Sequence, residues 1–100
     1  MTTKSQDELS LNTKIASVIR AVRTALAWSQ QDLADRAHIS KPTIARIESM
    51  FMSPRADTID ALITAFREEG VMIDILAEEV SIRMNKSALL KLQKTLSKPK

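Results

Sequence analysis

The side chains best suited to chemistry gather in the stretch Ser29–Ser49, SQQDLADRAHISKPTIARIES. At helical spacing Lys41, Thr43, Arg46 and Ser49 fall on one side of it, while Leu33, Ala34, Ile39, Ile44 and Ile47 fall on the other. Ammonium, guanidinium and hydroxyl groups in such an array are hydrogen-bond donors, not a catalytic set. Ser, Thr and His occur without the nucleophile–base arrangement that covalent catalysis needs. With no Cys and one His, a thiolate metal site is impossible and imidazole chemistry has little to work with. A single Gly rules out a Gly-rich phosphate loop. The acidic pairs Glu68-Glu69 and Glu78-Glu79 sit at element ends, where solvation explains them, and five scattered Met residues read as core filler. The expectation is a binding protein, not an enzyme, with no metal and no cofactor.

The elements that must position these donors are legible in the same stretch. Ser29 is a good N-cap, Asp32 can return the bond as a capping box, and Trp28 with Leu33 has the spacing of a hydrophobic staple. A helix then runs from Gln30 to about Ala37, and His38-Ile39 turns a corner. Ser40 caps a second helix with Pro42 in its first turn, where a missing N–H costs little. Ala34 is small enough to let the two helices cross closely. This is a helix-turn-helix, a unit that usually carries its second helix into the DNA major groove.

On Arg23, Trp28-Ser29-Gln30, Leu33-Ala34, Ile39-Ser40, Thr43-Ile44 and Arg46-Ile47-Glu48, the chain resembles the phage repressor and Cro-like helix-turn-helix family, the XRE family of bacterial regulators. The resemblance runs roughly from Ile15 to Gly70. It implies a mainly α, lambda-repressor-like bundle of four to five helices, and a sequence-specific regulator of double-stranded DNA, expected to be a dimeric repressor on a two-fold operator. Lys41, Pro42, Thr43 and Arg46 match the family's base-reading positions, with Ser40 beside them. Lys41 and Arg46 could donate to guanine O6 and N7, and Pro42 and the Thr43 methyl could touch a thymine methyl. Gln30 matches a residue that fixes phosphate and orients the second helix; Ser29, Arg55 and Lys14 are weaker phosphate candidates. Arg23 and Glu48 match a structural ion pair. His38 and Met50 stand where the family usually has Gly, so a left-handed backbone there would be somewhat strained.

Size and charge agree with this reading. One hundred residues, 44% of them hydrophobic, suit one small domain with an extra element or two. No run reaches transmembrane length, no basic-then-apolar leader is visible, and the lack of Cys suits a reducing interior. A cytoplasmic protein, bacterial or phage-encoded and nucleoid-associated when bound, is expected. Residues 9–55 carry seven bases against three acids, residues 56–82 seven acids against Arg67 alone, and residues 83–100 six bases and no acid. A polyanion would be drawn to the first and last of these regions.

Along the chain, residues 1–10 read as a disordered arm. A helix is predicted from about Thr13 to Ala27, with Ile15, Val18, Ile19, Val22 and Leu26 as its apolar stripe and Lys14 and Arg20 outward. After Ser49 a loop closed by Ser53-Pro54 returns Phe51 or Met52 to the core. A further helix begins near Arg55–Asp57, turns Ile59, Leu62, Ile63 and Phe66 inward, and completes the DNA-binding domain, residues 11–70, at Gly70. Residues 71–84 alternate on either side of Leu76–Glu79 and read as a β-hairpin, with a continuous helix through Ala77-Glu78-Glu79 the competing reading. A lone hairpin is marginal, so it must pack on the helices or pair with another chain. Val71, Ile73, Ile75, Val80 and Ile82 are the predicted dimerisation residues, since similar family members use such a strand that way. In residues 85–100, a basic tail or helix, Leu89, Leu92 and Leu96 line up beside Lys86, Lys91 and Lys94; it either frays or docks on a partner or DNA. The alternative function is an antitoxin that holds a toxin protein through these last elements and autoregulates its operon. A metabolite-sensing regulator is disfavoured, because the remaining residues leave no room for a sensor domain.

Overall fold

Helix-turn-helix packing, with a hairpin closing one side, organises the computed structural model, which describes residues 10–97. The arm predicted over residues 1–10 lies outside the described residues except for Ser10. Ser10 Oγ accepts the Thr13 N–H at 3.1 Å and starts α1 (Leu11–Ala25) two residues before the predicted Thr13. The same helix ends before the predicted Ala27 because Ala27 adopts a left-handed φ of 61°. The Ala27 and Trp28 N–H groups then reach back to the Thr24 and Arg23 carbonyls at 3.0 and 2.9 Å, which is a Schellman closure.

The next two helices are α2 (Gln30–Ala37) and α3 (Lys41–Glu48). Ser29 and Asp32 form the full capping box at the start of α2: the Asp32 N–H donates to Ser29 Oγ at 3.0 Å and the Ser29 N–H to Asp32 Oδ2 at 2.8 Å. His38 turns the corner with φ 59°, and Ser40 caps α3 by accepting the Thr43 N–H at 3.3 Å. Past α3, Met50 is left-handed at φ 63°. Of the two loop candidates for the core, Met52 packs against it and Phe51 turns outward. α4 (Ala56–Glu68) ends in Glu69 and then Gly70, which takes φ 93°.

Beyond Gly70 the chain forms an antiparallel hairpin of β1 (Val71–Ile75) and β2 (Val80–Met84), with Val71 opposite Met84, Ile73 opposite Ile82 and Ile75 opposite Val80. The competing helical reading fails at its turn, where the Leu76 N–H donates to the Glu79 carbonyl at 2.8 Å. Asn85 then caps α5 (Lys86–Leu96) by accepting the Ala88 N–H at 3.0 Å. Among the described residues the fold is therefore five helices and one two-stranded sheet.

The core is built from Ile15, Val22, Leu33, Ile44, Ile47, Leu62 and Phe66, all essentially fully buried. Trp28 stacks on Phe66 with ring centroids 5.7 Å apart, and the Arg36 guanidinium lies 4.3 Å above the Trp28 ring. Glu69 binds Arg36 at 2.7 Å and also Lys91, so one carboxylate ties α2, the end of α4 and α5 together. The hairpin's apolar face meets α1 and α4: Val71 is fully buried and Ile73 only 8% exposed. Only about 10 Å³ is left open where Ile15, Leu62, Phe66 and Ile73 meet. Gly70 sits at the close approach of the hairpin's two ends, its carbonyl accepting the Asn85 N–H at 2.9 Å.

Candidate nucleic-acid interface

The outward stripe of α3 is Lys41, Pro42, Ala45, Arg46 and, at its C-cap, Ser49, which is the i, i+1, i+4, i+5, i+8 ladder of one helical face. Lys41, Pro42, Arg46 and Ser49 are exposed and Ala45 is half-buried. Neither Lys41 nor Arg46 forms an ion pair among the described residues. Thr43 sits apart from this stripe. It is half-buried, and its hydroxyl lies 2.8 Å from Ser40 Oγ, where it closes the cap. Ala45 is a member of the face that residue chemistry alone does not reveal, because its contribution is the absence of a long side chain. A methyl lets the helix approach another surface closely between its two cations.

The orientation of α3 is set from behind. Glu48, in the last turn, has a side chain 5% exposed and accepts three hydrogen bonds. Arg23 of α1 gives two of them, Nε to Oε2 at 2.7 Å and Nη2 to Oε1 at 3.0 Å, in the fork geometry that suits a carboxylate. Gln30 of α2 gives the third, Nε2 to Oε1 at 3.1 Å. Arg23 Nη1 donates to the Trp28 carbonyl at 2.8 Å, binding the loop before α2 as well. The hydrogen bond to Glu48 raises the Arg23 pKa from its ordinary value against the opposing effect of burial, so the guanidinium stays charged. One carboxylate thus joins three helices. The Gln30 amide has a second proton, in a polar hollow of about 250 Å³ lined by Arg20, Arg23, Gln30, Ala45, Glu48 and Ser49. Arg20 is the residue that sequence reading left unassigned. It stands exposed one turn before Arg23, and that i, i+3 spacing is the signal that puts both guanidinium groups at this hollow.

The remaining candidates are placed unevenly. Ser29 is exposed, but both its backbone N–H and its hydroxyl are engaged with Asp32 in the capping box. The Ser29 backbone N–H, and after it the Ser29 hydroxyl, hold the Asp32 carboxyl below its ordinary range. Arg55 is exposed before α4, with Asp57 3.6 Å away. Lys14, a predicted phosphate candidate, is instead turned to the hairpin, where Nζ donates to the Leu76 and Ala77 carbonyls at 2.7 and 3.1 Å. Of the predicted dimerisation residues, Val71 and Ile73 lie in the chain's own core, Ile75 and Val80 pack half-buried against it, and Ile82 is exposed. On α5, Leu89, Leu90 and Leu96 are exposed and Leu92 half-buried. Among the described residues no group of His, Cys, Asp and Glu could hold a metal ion, and no helix is long and apolar enough to cross a membrane.

Compared with known protein families, residues 19–70, just over half the chain, match the family described as Helix-turn-helix. That span runs from the middle of α1 through α2, α3 and α4 to Gly70. No curated protein matches the chain significantly.

Proposed function

This chain belongs to the Helix-turn-helix family, of the XRE type, and so carries a DNA-binding domain; from that premise we propose that it is a sequence-specific regulator of transcription acting as a homodimeric repressor. The observation that carries the reading is the outer face of α3: Lys41 and Arg46, without ion pairs among the described residues, flanking Pro42 and Ala45 on a helix fixed from behind by Arg23, Gln30 and Glu48. In the major groove Lys41 and Arg46 donate to guanine O6 and N7, while Pro42 and the Thr43 methyl lie against thymine methyls. Phosphates are held by the second amide proton of Gln30, by Arg20, and more weakly by the Ser29 and Ser40 hydroxyls and Arg55. These contacts set register and carry most of the salt dependence; the α3 contacts carry the sequence.

A repressor on a two-fold operator needs two copies of α3 about one DNA turn apart, ~34 Å. The hairpin supports a dimer in one respect and limits it in another. Its strands have open edges and Ile82 is exposed, so a second hairpin can add alongside. Val71 and Ile73 are taken up by the chain's own core, so the contact falls on Ile82 and the edges. The exposed leucines of α5 favour a second reading, in which the chain is an antitoxin and α5 seats a toxin protein.

The test is selection of duplexes from a random pool by the purified protein, followed by sedimentation of wild type and Ile82→Asp. A recovered two-fold site, a wild-type dimer and a monomeric Ile82→Asp variant are expected. Recovery of unrelated duplexes would overturn sequence-specific binding, and a wild-type monomer at micromolar concentration would overturn the dimer.

A further inference from the structure

Phe51 is the most exposed large apolar side chain among the described residues, at 85%, and it lies beside Ala45, Arg46 and Ser49 of the outward α3 face. It is not on a loose segment. Its N–H donates to the Arg46 carbonyl at 2.8 Å, the Met50 N–H donates to the Ile47 carbonyl at 3.1 Å, and Met50 is left-handed. These two bonds are the Schellman closure of α3, so the Phe51 backbone is fixed just past the end of the helix that bears Arg46. The side chain shares with Ala45, Arg46 and Ser49 an open hollow of about 480 Å³. One wall of that hollow is a guanidinium that forms no ion pair among the described residues, and another is a phenyl ring. Met52, the next residue, packs against the core, so the chain buries one apolar neighbour and leaves Phe51 in water.

We propose that Phe51 is a specificity-determining residue that reads the 5-methyl group of a thymine beside the base pair contacted by Arg46. This rests on the reading of α3 as the helix that enters the major groove. The chemistry selects the occupant. Among the groups that base pairs expose in the major groove, donors and acceptors suit Arg46 and the Ser49 hydroxyl, and the thymine methyl is the apolar one. The Ala45 methyl between them lets the hollow close on the base edge. Sugar and phosphate contacts would give affinity without preference for thymine, and a protein partner would give neither.

The experiment starts from the site that the wild-type chain selects from random duplexes. Each thymidine in it is replaced in turn by deoxyuridine, which keeps every hydrogen bond and removes the methyl. At the thymidine beside the base pair that Arg46 contacts, distinct from those facing Pro42 and Thr43, wild type is expected to lose about fourfold in affinity, the effect of one buried methyl-sized group. Phe51→Ala is expected to bind the thymidine site at least that much more weakly, and to bind the deoxyuridine and thymidine sites equally at that position. Phe51→Leu is expected to retain part of the discrimination. If wild type selects no duplex, the reading of α3 fails and this assignment with it. If wild type selects a site but Phe51→Ala shows the wild-type thymidine preference, this assignment alone is overturned. A uniform loss on all sites would make Phe51 a backbone contact, and weakened self-association with the thymidine preference intact would make it a protein contact; either overturns the assignment.

Discussion

Replacing Glu48 by Ala removes the acceptor of three hydrogen bonds at once. The Arg23 side chain, 18% exposed, is left with the Trp28 carbonyl as its one acceptor, and the Gln30 amide loses its partner. Removing one member of a buried ion pair costs about 3–5 kcal/mol. Because Arg23 keeps one hydrogen bond and some water, the lower end applies, about 3 kcal/mol. A domain of this size has only ~5–15 kcal/mol of stability in all, so the urea midpoint should fall steeply. Replacing both partners, Arg23→Met with Glu48→Leu, removes the stranded charge and should recover part of the loss, short by about 1–2 kcal/mol for the unpaired Gln30 amide and for the Trp28 carbonyl that Arg23 no longer serves. Stability and function then separate: the double variant is more stable than Glu48→Ala yet binds DNA more weakly than wild type, because α3 has lost the tie that orients it. Urea denaturation followed by circular dichroism measures the first quantity and equilibrium binding to the selected duplex the second. A Glu48→Ala variant within about 1 kcal/mol of wild type, or a double variant no more stable than the single, would refute the reasoning.

Other consequences follow from single contacts. Gly70→Ala would place a Cβ 2.1 Å from Asn85 Oδ1 at a backbone φ of 93°, so the α5 cap must give way; a loss of about 2–3 kcal/mol from strain and cap together is expected in thermal unfolding. Met50→Gly relieves a left-handed φ of 63° at an exposed position and should raise the melting temperature by a few degrees, the relief exceeding the extra freedom Gly gains on unfolding. Glu69 is held below its ordinary pKa of 4.5 first by its hydrogen bond to Lys91, with Arg36 adding to it. Its contribution to stability is therefore complete above 4.5 and is lost as pH falls through the lower folded value, and Lys91→Ala should make urea midpoints less sensitive to acid in that window.

What the sequence shows and what it hides divide along physical lines. The caps at Ser29 and Ser40, the staple pair and the outward Lys41 and Arg46 are local patterns, set by residues within two turns of one another. The hairpin is legible from alternation after Gly70, and its register follows once the Leu76–Glu79 turn is in place. The partner of Lys14 is not legible, since it lies 62 residues away on the hairpin turn. Alternation marks one face of the hairpin as apolar but does not tell whether a helix or a second chain covers it; α1 and α4 cover Val71 and Ile73. Ala27 ends α1 in a left-handed turn without the Gly that usually announces one. The loop after Ser49 has no periodicity, so the division of Met52 inward and Phe51 outward emerges only from the packing. Thr43 looks outward by spacing, yet its hydroxyl serves the Ser40 cap.

That α3 reads bases is tested most directly by Arg46→Ala, whose side chain is exposed and whose loss should leave the fold intact. A good base contact is worth ~1–3 kcal/mol, so affinity for the selected duplex should drop roughly tenfold, with the lost preference confined to one base pair per half-site. Gln30→Ala, measured beside it, should weaken all duplexes alike. An Arg46→Ala protein that selects the wild-type site with wild-type affinity would contradict the assignment of α3 as the recognition helix.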